Sequence, residues 1–308
     1  MTLQQMEYIV AVYSLRHFAK AAEQCGVTQP TLSAMIQKLE AELDVKIFER
    51  SSHQVIPTAI GKLVVEQAWR VLARARKIKD IVAEEKGLVG GTCRIGILPT
   101  IAPYLLPRFF NKMTADNPEV KFTVAEMKTA DCKKALSRGE IDIAILVSLD
   151  DMENYEQTPL YYEQFMAYVS KSDALYANKL IKTSDLNDEF LWLLDEGHCF
   201  RDQLVKFCSL KSAQVSKNTY SLGSIETFMR MVEGGKGVTF IPELALEQLT
   251  DSQRQLVRPF AIPIPTRQVV ALTTKSFVRL SQLRLVVDAV RKSVPECMLK
   301  MNNTEQRV

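Results

Sequence analysis

No stretch of the chain approaches the ~18 consecutive apolar residues of a membrane-spanning helix, so a helical membrane protein is not expected. Charge of one sign is also missing: 39 lysines and arginines face 36 aspartates and glutamates. The first 58 residues hold five basic side chains (Arg16, Lys20, Lys38, Lys46 and Arg50) against six acidic ones. Bulk charge therefore does not announce a nucleic-acid binder, and any such reading has to rest on a motif. Histidine is scarce, three in 308 residues, and no CxxC occurs, which leaves zinc poorly supplied with ligands. HExxH, GxSxG and a GxGxxG after a strand are absent, and GKGV at 235–238 lacks the spacing of a phosphate loop. No hydrolase, nucleotide enzyme, metal site or cofactor is expected. The six cysteines are irregularly spaced and do not form a secreted disulfide framework. MTLQQMEYIVAVYSL lacks the positive region and continuous apolar core of a signal peptide, so a cytoplasmic location with reduced thiols is expected.

What is present begins with helices. Met6, Ile9, Val10 and Tyr13 recur at helical spacing, and FAKAAEQC places Phe18, Ala19, Ala22 and Cys25 on a second apolar side. Gly26 breaks this run, Thr28 is placed to cap the next helix, and Pro30 suits its first turn. The third helix buries Leu32, Ile36, Leu39 and Leu43 and offers Gln29, Thr31, Ser33, Gln37 and Lys38 on its other side. Two short helices about a glycine turn make a helix-turn-helix, whose second helix can enter a major groove. KIFERSSHQVIPT then sets two β-prone runs around SSHQ, as in a wing, with Arg50 and His53 near the sugar-phosphate backbone. From Thr58 to about Lys86 a proline-free helix carries Val64, Ala68, Val71, Ala75, Ile78 and Val82 alternately four and three apart, a narrow seam that calls for a partner helix. GLVGGT at 87–92 reads as the hinge that ends it.

Beyond Cys93 the texture alternates strand and helix: RIGIL, the helix after Thr100, VKFTVAE, CKKALSRGE and IDIAILV. The rhythm resumes with FMAYVS, FLWLL, a helix at about 224–233, GVTFIP, VVALTTK and an amphipathic helix at 281–292. Such βαβ texture predicts a mainly parallel sheet in two α/β lobes with a ligand cleft between them. The chain divides into a winged helix-turn-helix (1–58), a linker and dimerisation helix with hinge (59–91), and a two-lobed regulatory domain (92–308). Lobe I covers about 92–162 and 268–300, and lobe II about 163–267.

LDEGHCFRDQLVKFC (194–208) puts two cysteines nine residues apart in a helix-like run. At about 1.5 Å rise per residue a continuous helix holds their Cα atoms roughly 13 Å apart, whereas a disulfide needs less than about 7 Å. Core residues, metal ligands and a redox pair all remain open on these residues alone. If Cys199 and Cys208 pair, the helix must come apart. Cys25, Cys93, Cys132 and Cys297 read as small buried hydrophobes.

FAKAAEQCGVTQPTLSAMIQKLEAELDVKIFER followed by PTAIG resembles the LysR-type transcriptional regulators, over essentially the whole chain. EGHCFRDQLVKFC and ILPTIAPYLLP resemble the OxyR subfamily of hydrogen peroxide sensors, whereas SLKSAQVSKN after Cys208 departs from it. The resemblance implies a periplasmic-binding-protein-like regulatory domain and a homodimer or homotetramer on promoter DNA. RNA polymerase is the implied partner, hydrogen peroxide the signal and a thiol the reductant for reset. Cys199 is then the peroxide-reactive thiol and Cys208 its resolving partner, in an activator of the oxidative stress response. Thr100 and Thr129 are implied to line the peroxide pocket, although Thr100 could equally cap a helix. Arg267 is implied to lie near the thiolate, with His198, Arg201 and Asp202 in the same environment. Gln29, Pro30, Thr31, Ser33 and Arg50 match the recognition turn and wing. In physical terms, a helix start at Cys199 and the charge of Arg201 favour a thiolate, and His198 is placed to protonate the departing oxygen. Two other readings compete: a LysR-type regulator whose cleft binds a metabolite, and a thiol peroxidase.

Overall fold

The computed structural model describes residues 1–50, 55–87, 89–186, 190–194, 199–208 and 224–308, with Arg50 by its backbone alone. The chain forms two compact units, residues 1–88 with 137–140 and residues 89–136 with 141–308.

In the first unit α1 (Leu3–Leu15), α2 (Phe18–Gln24) and α3 (Gln29–Leu43) precede a hairpin of β1 (Phe48–Arg50) and β2 (Val55–Pro57), and then α4 (Ala59–Glu85). Thr28 caps α3 and Pro30 lies in its first turn, as the sequence predicts. Leu32, Ile36 and Leu39 are fully buried against Ile9 and Val12, each side chain contributing about 1.5–3 kcal/mol. Cys25 is the half-buried C-cap of α2 and packs against the core of this unit. The wing is pinned from below by Glu40, whose buried Oε1 accepts from the amides of Ile47 (2.8 Å) and Phe48 (3.2 Å). Gly61 of the PTAIG motif has a steric cause: a Cβ there would sit 2.0 Å from the Ile47 carbonyl oxygen.

The long helix corrects one expectation. Its first half does not face only a partner, because Val65, Ala68, Trp69 and Leu72 are buried on the core of its own unit, where Trp69 meets Tyr13 edge-on at 5.2 Å. Val71, Ile78 and Val82 of the predicted seam remain exposed, as do Leu63 and Ile81. A surface seam and an inward stripe thus share one helix.

The second unit is built on one mixed sheet. Its elements are β3 (Gly91–Ile97), α5 (Ala102–Asp116), β4 (Val120–Glu126), α6 (Thr129–Arg138), β5 (Ile143–Val147), β6 (Tyr155–Val169), α7 (Cys199–Phe207) and α8 (Ile225–Gly234). They continue with β7 (Val238–Pro242), α9 (Asp251–Arg254), β8 (Val257–Pro259), β9 (Ile264–Thr274), α10 (Leu280–Ser293) and β10 (Glu305–Arg307). The strand order is β4-β3-β5-β9-β6-β7, with β8 on β6 and β10 on β9. β3 is parallel to β4 and β5, but β5/β9, β9/β6, β6/β7 and β6/β8 are antiparallel, so the expectation of a mainly parallel sheet fails. The reason is the length of β6 and β9: both run from one lobe into the other. β6 pairs β9 through Gln164↔Thr266 and takes β7 as a partner from Phe165↔Pro242, and Glu163 stands directly across from Arg267. FLWLL also falls short of a strand among the described residues, making one bridge at Leu191↔Val238. The helices cover the sheet, and IAILV is buried at every position.

Candidate functional site

In the first unit, the first turn of α3 is offered to solvent. Gln29, Pro30, Thr31 and Lys38 are exposed and Ser33 is half-buried. Thr28 Oγ1 caps the Thr31 amide and shares a 2.8 Å hydrogen bond with the Thr31 hydroxyl. Helix amides at this end favour phosphate, and the polar tips next to them suit base edges. Ala34 and Gln37 are exposed on the same helix. Arg50 closes β1. His53 lies outside the described residues.

The second unit gathers three helix starts around one sulfur. Thr100 lies two residues before α5, Thr129 is the first residue of α6, and Cys199 is the first of α7. Helix N-termini carry partial positive charge, so this junction favours an anion. About 10 Å³ is open to a water-sized molecule's centre among Leu98, Thr100, Lys128, Thr129, Cys199 and Phe200, room for roughly one water. A second cavity of about 420 Å³ also reaches Cys199, between α7, Ser148–Asp150 and Arg307.

Arg267 organises the junction from beneath. It is 1% exposed, and its Nε and Nη2 donate to Glu163 Oε2 at 2.8 and 2.6 Å. Nη1 donates to Thr100 Oγ1 at 3.2 Å and Nη2 to the Thr100 carbonyl at 3.0 Å. Thr100 Oγ1 thus accepts from the protein, and its own hydroxyl proton can point into the cavity. The Arg267 guanidinium also lies 5.0 Å from the Phe200 ring centroid and 5.8 Å from that of Phe165, and the two rings are 4.7 Å apart. Phe200 follows Cys199, so this stack seats the first turn of α7.

Burial pushes the Cys199 thiol above its ordinary range, outweighing the Thr129 hydroxyl, the Arg267 charge and the Phe200 amide, which all favour the thiolate, while Asp202 opposes it. Thr129 Oγ1 is buried without a hydrogen bond of regular geometry, although it lies near enough to Cys199 to favour the thiolate. This hydroxyl is available to an incoming oxygen. Cys208 is buried too, its thiol pushed up to about 12 by burial, and its amide continues the helix by donating to Leu204 O at 2.9 Å. Both thiols are free in this structure, at opposite ends of a wound helix.

Residues 3–62 match the bacterial regulatory helix-turn-helix protein family of lysR type, and residues 86–295 match the LysR substrate binding domain. The chain is 32% identical over 302 residues to the hydrogen peroxide-inducible genes activator of Dickeya chrysanthemi, covering 98% of this chain and 99% of that one. The chain belongs to the LysR family, in its OxyR branch. It is 33% identical over 269 residues to the DNA-binding transcriptional dual regulator OxyR of Escherichia coli K12, covering 87% of this chain and 88% of that one. Among solved structures, a full-length OxyR variant from Pseudomonas aeruginosa superposes with a TM-score of 0.80 at 32% identity, over 98% of this chain and 99% of that one.

For this LysR-family chain the fold brings Thr100, Thr129, Cys199 and Arg267 to one junction. Arg201 stands 3.8 Å from Asp202, and the buried Arg267 is a positive charge that favours the Cys199 thiolate. The thiolate expected at Cys199 is opposed by its burial, which outweighs the groups that favour it. His198 lies outside the described residues. Sequence reading missed Glu163, Phe165 and Phe200. Alternation on β6 carried a signal for the first, since Tyr161, Glu163 and Phe165 share one buried face. No helix is long and apolar enough to cross a membrane among the described residues.

Proposed function

We propose that the protein is a peroxide-sensing, DNA-binding transcription regulator in which Cys199 is the reactive thiol and Cys208 its resolving partner. The observation that carries this reading is the small cavity that Thr100, Thr129 and Cys199 line together. Hydrogen peroxide is small enough to enter and needs hydroxyl partners for both oxygens; Thr100 and Thr129 supply them. The Cys199 thiolate attacks one oxygen: the S–O bond forms, the O–O bond breaks, and hydroxide leaves to take up the thiol's proton as water. The Cys208 sulfur then displaces the second oxygen from the sulfenic acid as water, giving the disulfide. Two thiols and one peroxide become one disulfide and two waters, and a thiol reductant reverses the change. Because the cysteines sit at the two ends of α7, closure unwinds that helix, a bistable element biased by a covalent event. The exposed seam of α4 suits a second copy of the chain, and a dimer presents two α3 helices to successive half-sites of promoter DNA, with RNA polymerase as the downstream partner. In this reading the output of the disulfide is the change in DNA binding, and the protein acts in the cytoplasm as a sensor.

Brief exposure of the reduced protein to near-stoichiometric peroxide, followed by non-reducing peptide mapping, tests the reading. A Cys199–Cys208 peptide within seconds is expected, together with different DNA footprints for the two redox forms. Thiols that stay free would sink it. A metabolite effector is favoured by one observation, the 420 Å³ cavity beside α7, which is within the usual size of a small-molecule site. That alternative expects an unchanged response in Cys199→Ser and a ligand-dependent rise in Tm.

A further inference from the structure

The last residues, MNNTEQRV, carry no strand pattern, yet they add β10 to the open edge at the start of β9. Thr304 O accepts from Ile264 N at 2.9 Å and Val308 N donates to Thr266 O at 3.1 Å. Side chains fix the segment at both ends: Gln164 Nε2 donates to Glu305 Oε1 and Arg307 Nη2 to Ser148 Oγ, each at 2.6 Å. This anchored strand then makes one bond to the switch helix. Gln203 Nε2 donates to the Val308 backbone oxygen at 2.7 Å. Gln203 lies one helical turn beyond Cys199 and is 5% exposed; its Oε1 is buried without a partner, so the bond to Val308 is the polar anchor of this side chain.

We propose that residues 302–308 form a clip that holds α7 wound, and that Gln203 is the positioning residue through which the clip sets how readily the thiols oxidise. The proposal rests on the Cys199–Cys208 switch proposed above. A contact made only in the wound state stabilises the dithiol form and opposes closure of the disulfide. Gln203 lies inside the span that must unwind, so its bond to Val308 is lost on oxidation. The clip is tied to Thr266, the residue before Arg267, so one end of β9 positions both the charge beside Cys199 and the restraint on its helix. Hydrogen peroxide is the oxidant in the cell; in the test a dithiol–disulfide buffer takes its place and exchanges electrons with the pair at equilibrium.

The full-length chain, as wild type, Gln203→Ala, Arg307→Ala and the double variant, is equilibrated in mixtures of reduced and oxidised dithiothreitol, and the Cys199–Cys208 disulfide is quantified by peptide mapping. Gln203→Ala is expected to shift the equilibrium about 5-fold toward the disulfide, the size of one net hydrogen bond, or about 20 mV for a two-electron couple. Arg307→Ala, which loosens the clip at its bond to Ser148, shifts it the same way, and adds nothing once Gln203 is alanine. Gln203→Glu keeps the shape of the side chain and turns an acceptor toward the Val308 oxygen, so it shifts the same way even if the alanine variant folds poorly. An unchanged equilibrium in Gln203→Ala and Gln203→Glu overturns the clip. So does an equal effect of Arg307→Ala with and without Gln203. A wild type that forms no Cys199–Cys208 disulfide overturns the proposed function, and the clip with it.

Discussion

The buried pair of Glu163 and Arg267 allows stability and reactivity to be pulled apart. Both side chains are 1% exposed, and Glu163 Oε1 also accepts from the Leu244 amide at 3.1 Å. Arg267→Met leaves the carboxylate buried without its cation. Breaking a buried pair from one side costs about 3–5 kcal/mol. In a domain of about 150–250 residues each kcal/mol moves Tm by about 2–4 °C. The single variant is therefore expected to melt about 6–20 °C below the reduced wild type by calorimetry. Adding Glu163→Gln removes the stranded charge and keeps an acceptor for Leu244, so the double variant should recover most of that loss. Its reaction with peroxide should stay slow in stopped flow, because the positive charge that favours the Cys199 thiolate is still gone. A double variant as unstable as the single would show that the loss comes from packing against Phe200. One that reacts at the wild-type rate would refute the role given to Arg267.

Cys208→Ser should leave Cys199 reactive but without a resolving thiol, so a sulfenic acid accumulates and is trapped by dimedone; no adduct would contradict the assignment. Burial raises the thiols of Cys93, Cys132 and Cys208 from 9.0 to about 12, so the folded state favours their protonated form. That stabilisation is complete below pH 9 and is lost as pH rises toward 12, by up to about 1.4 kcal/mol per pH unit for each thiol. The Tm of the reduced protein should fall across that window, more gently in Cys93→Ala, and a flat profile would refute the linkage. On DNA, Lys38→Ala should lower the slope of log affinity against log salt by about 1, whereas Gln29→Ala should cost about 1–3 kcal/mol at particular base positions. Reversed behaviour would exchange the two roles.

The helix-turn-helix was legible because its signals are local: Thr28, Pro30 and the spacing of Leu32, Ile36 and Leu39 each act within a few residues. The start of α7 at Cys199 was legible for the same reason. Strand direction was not, since a period of two says nothing about which way a neighbour runs, and β6 and β9 turned out antiparallel. The electrostatics of Cys199 was misjudged because burial is a property of the packed molecule. Trp69 and Leu72 were overlooked because a single helix carries two stripes: the heptad count ran along the outer one from Val71, while Val64 and Ala68 at its start belong to the inward one. β10 had no sequence signal at all; it forms because β9 offers an unpaired edge.

Glu163 and Arg267 face each other in register on two strands that pass from lobe to lobe. Sliding β6 past β9 by one residue would turn one of these side chains to the opposite face and separate the charges. The pair therefore acts as a key in a slot: the sheet beneath the sensor has one permitted alignment. In the switch proposed above, this pair would hold the two strands in alignment while α7, which hangs from the sheet, unwinds and rewinds.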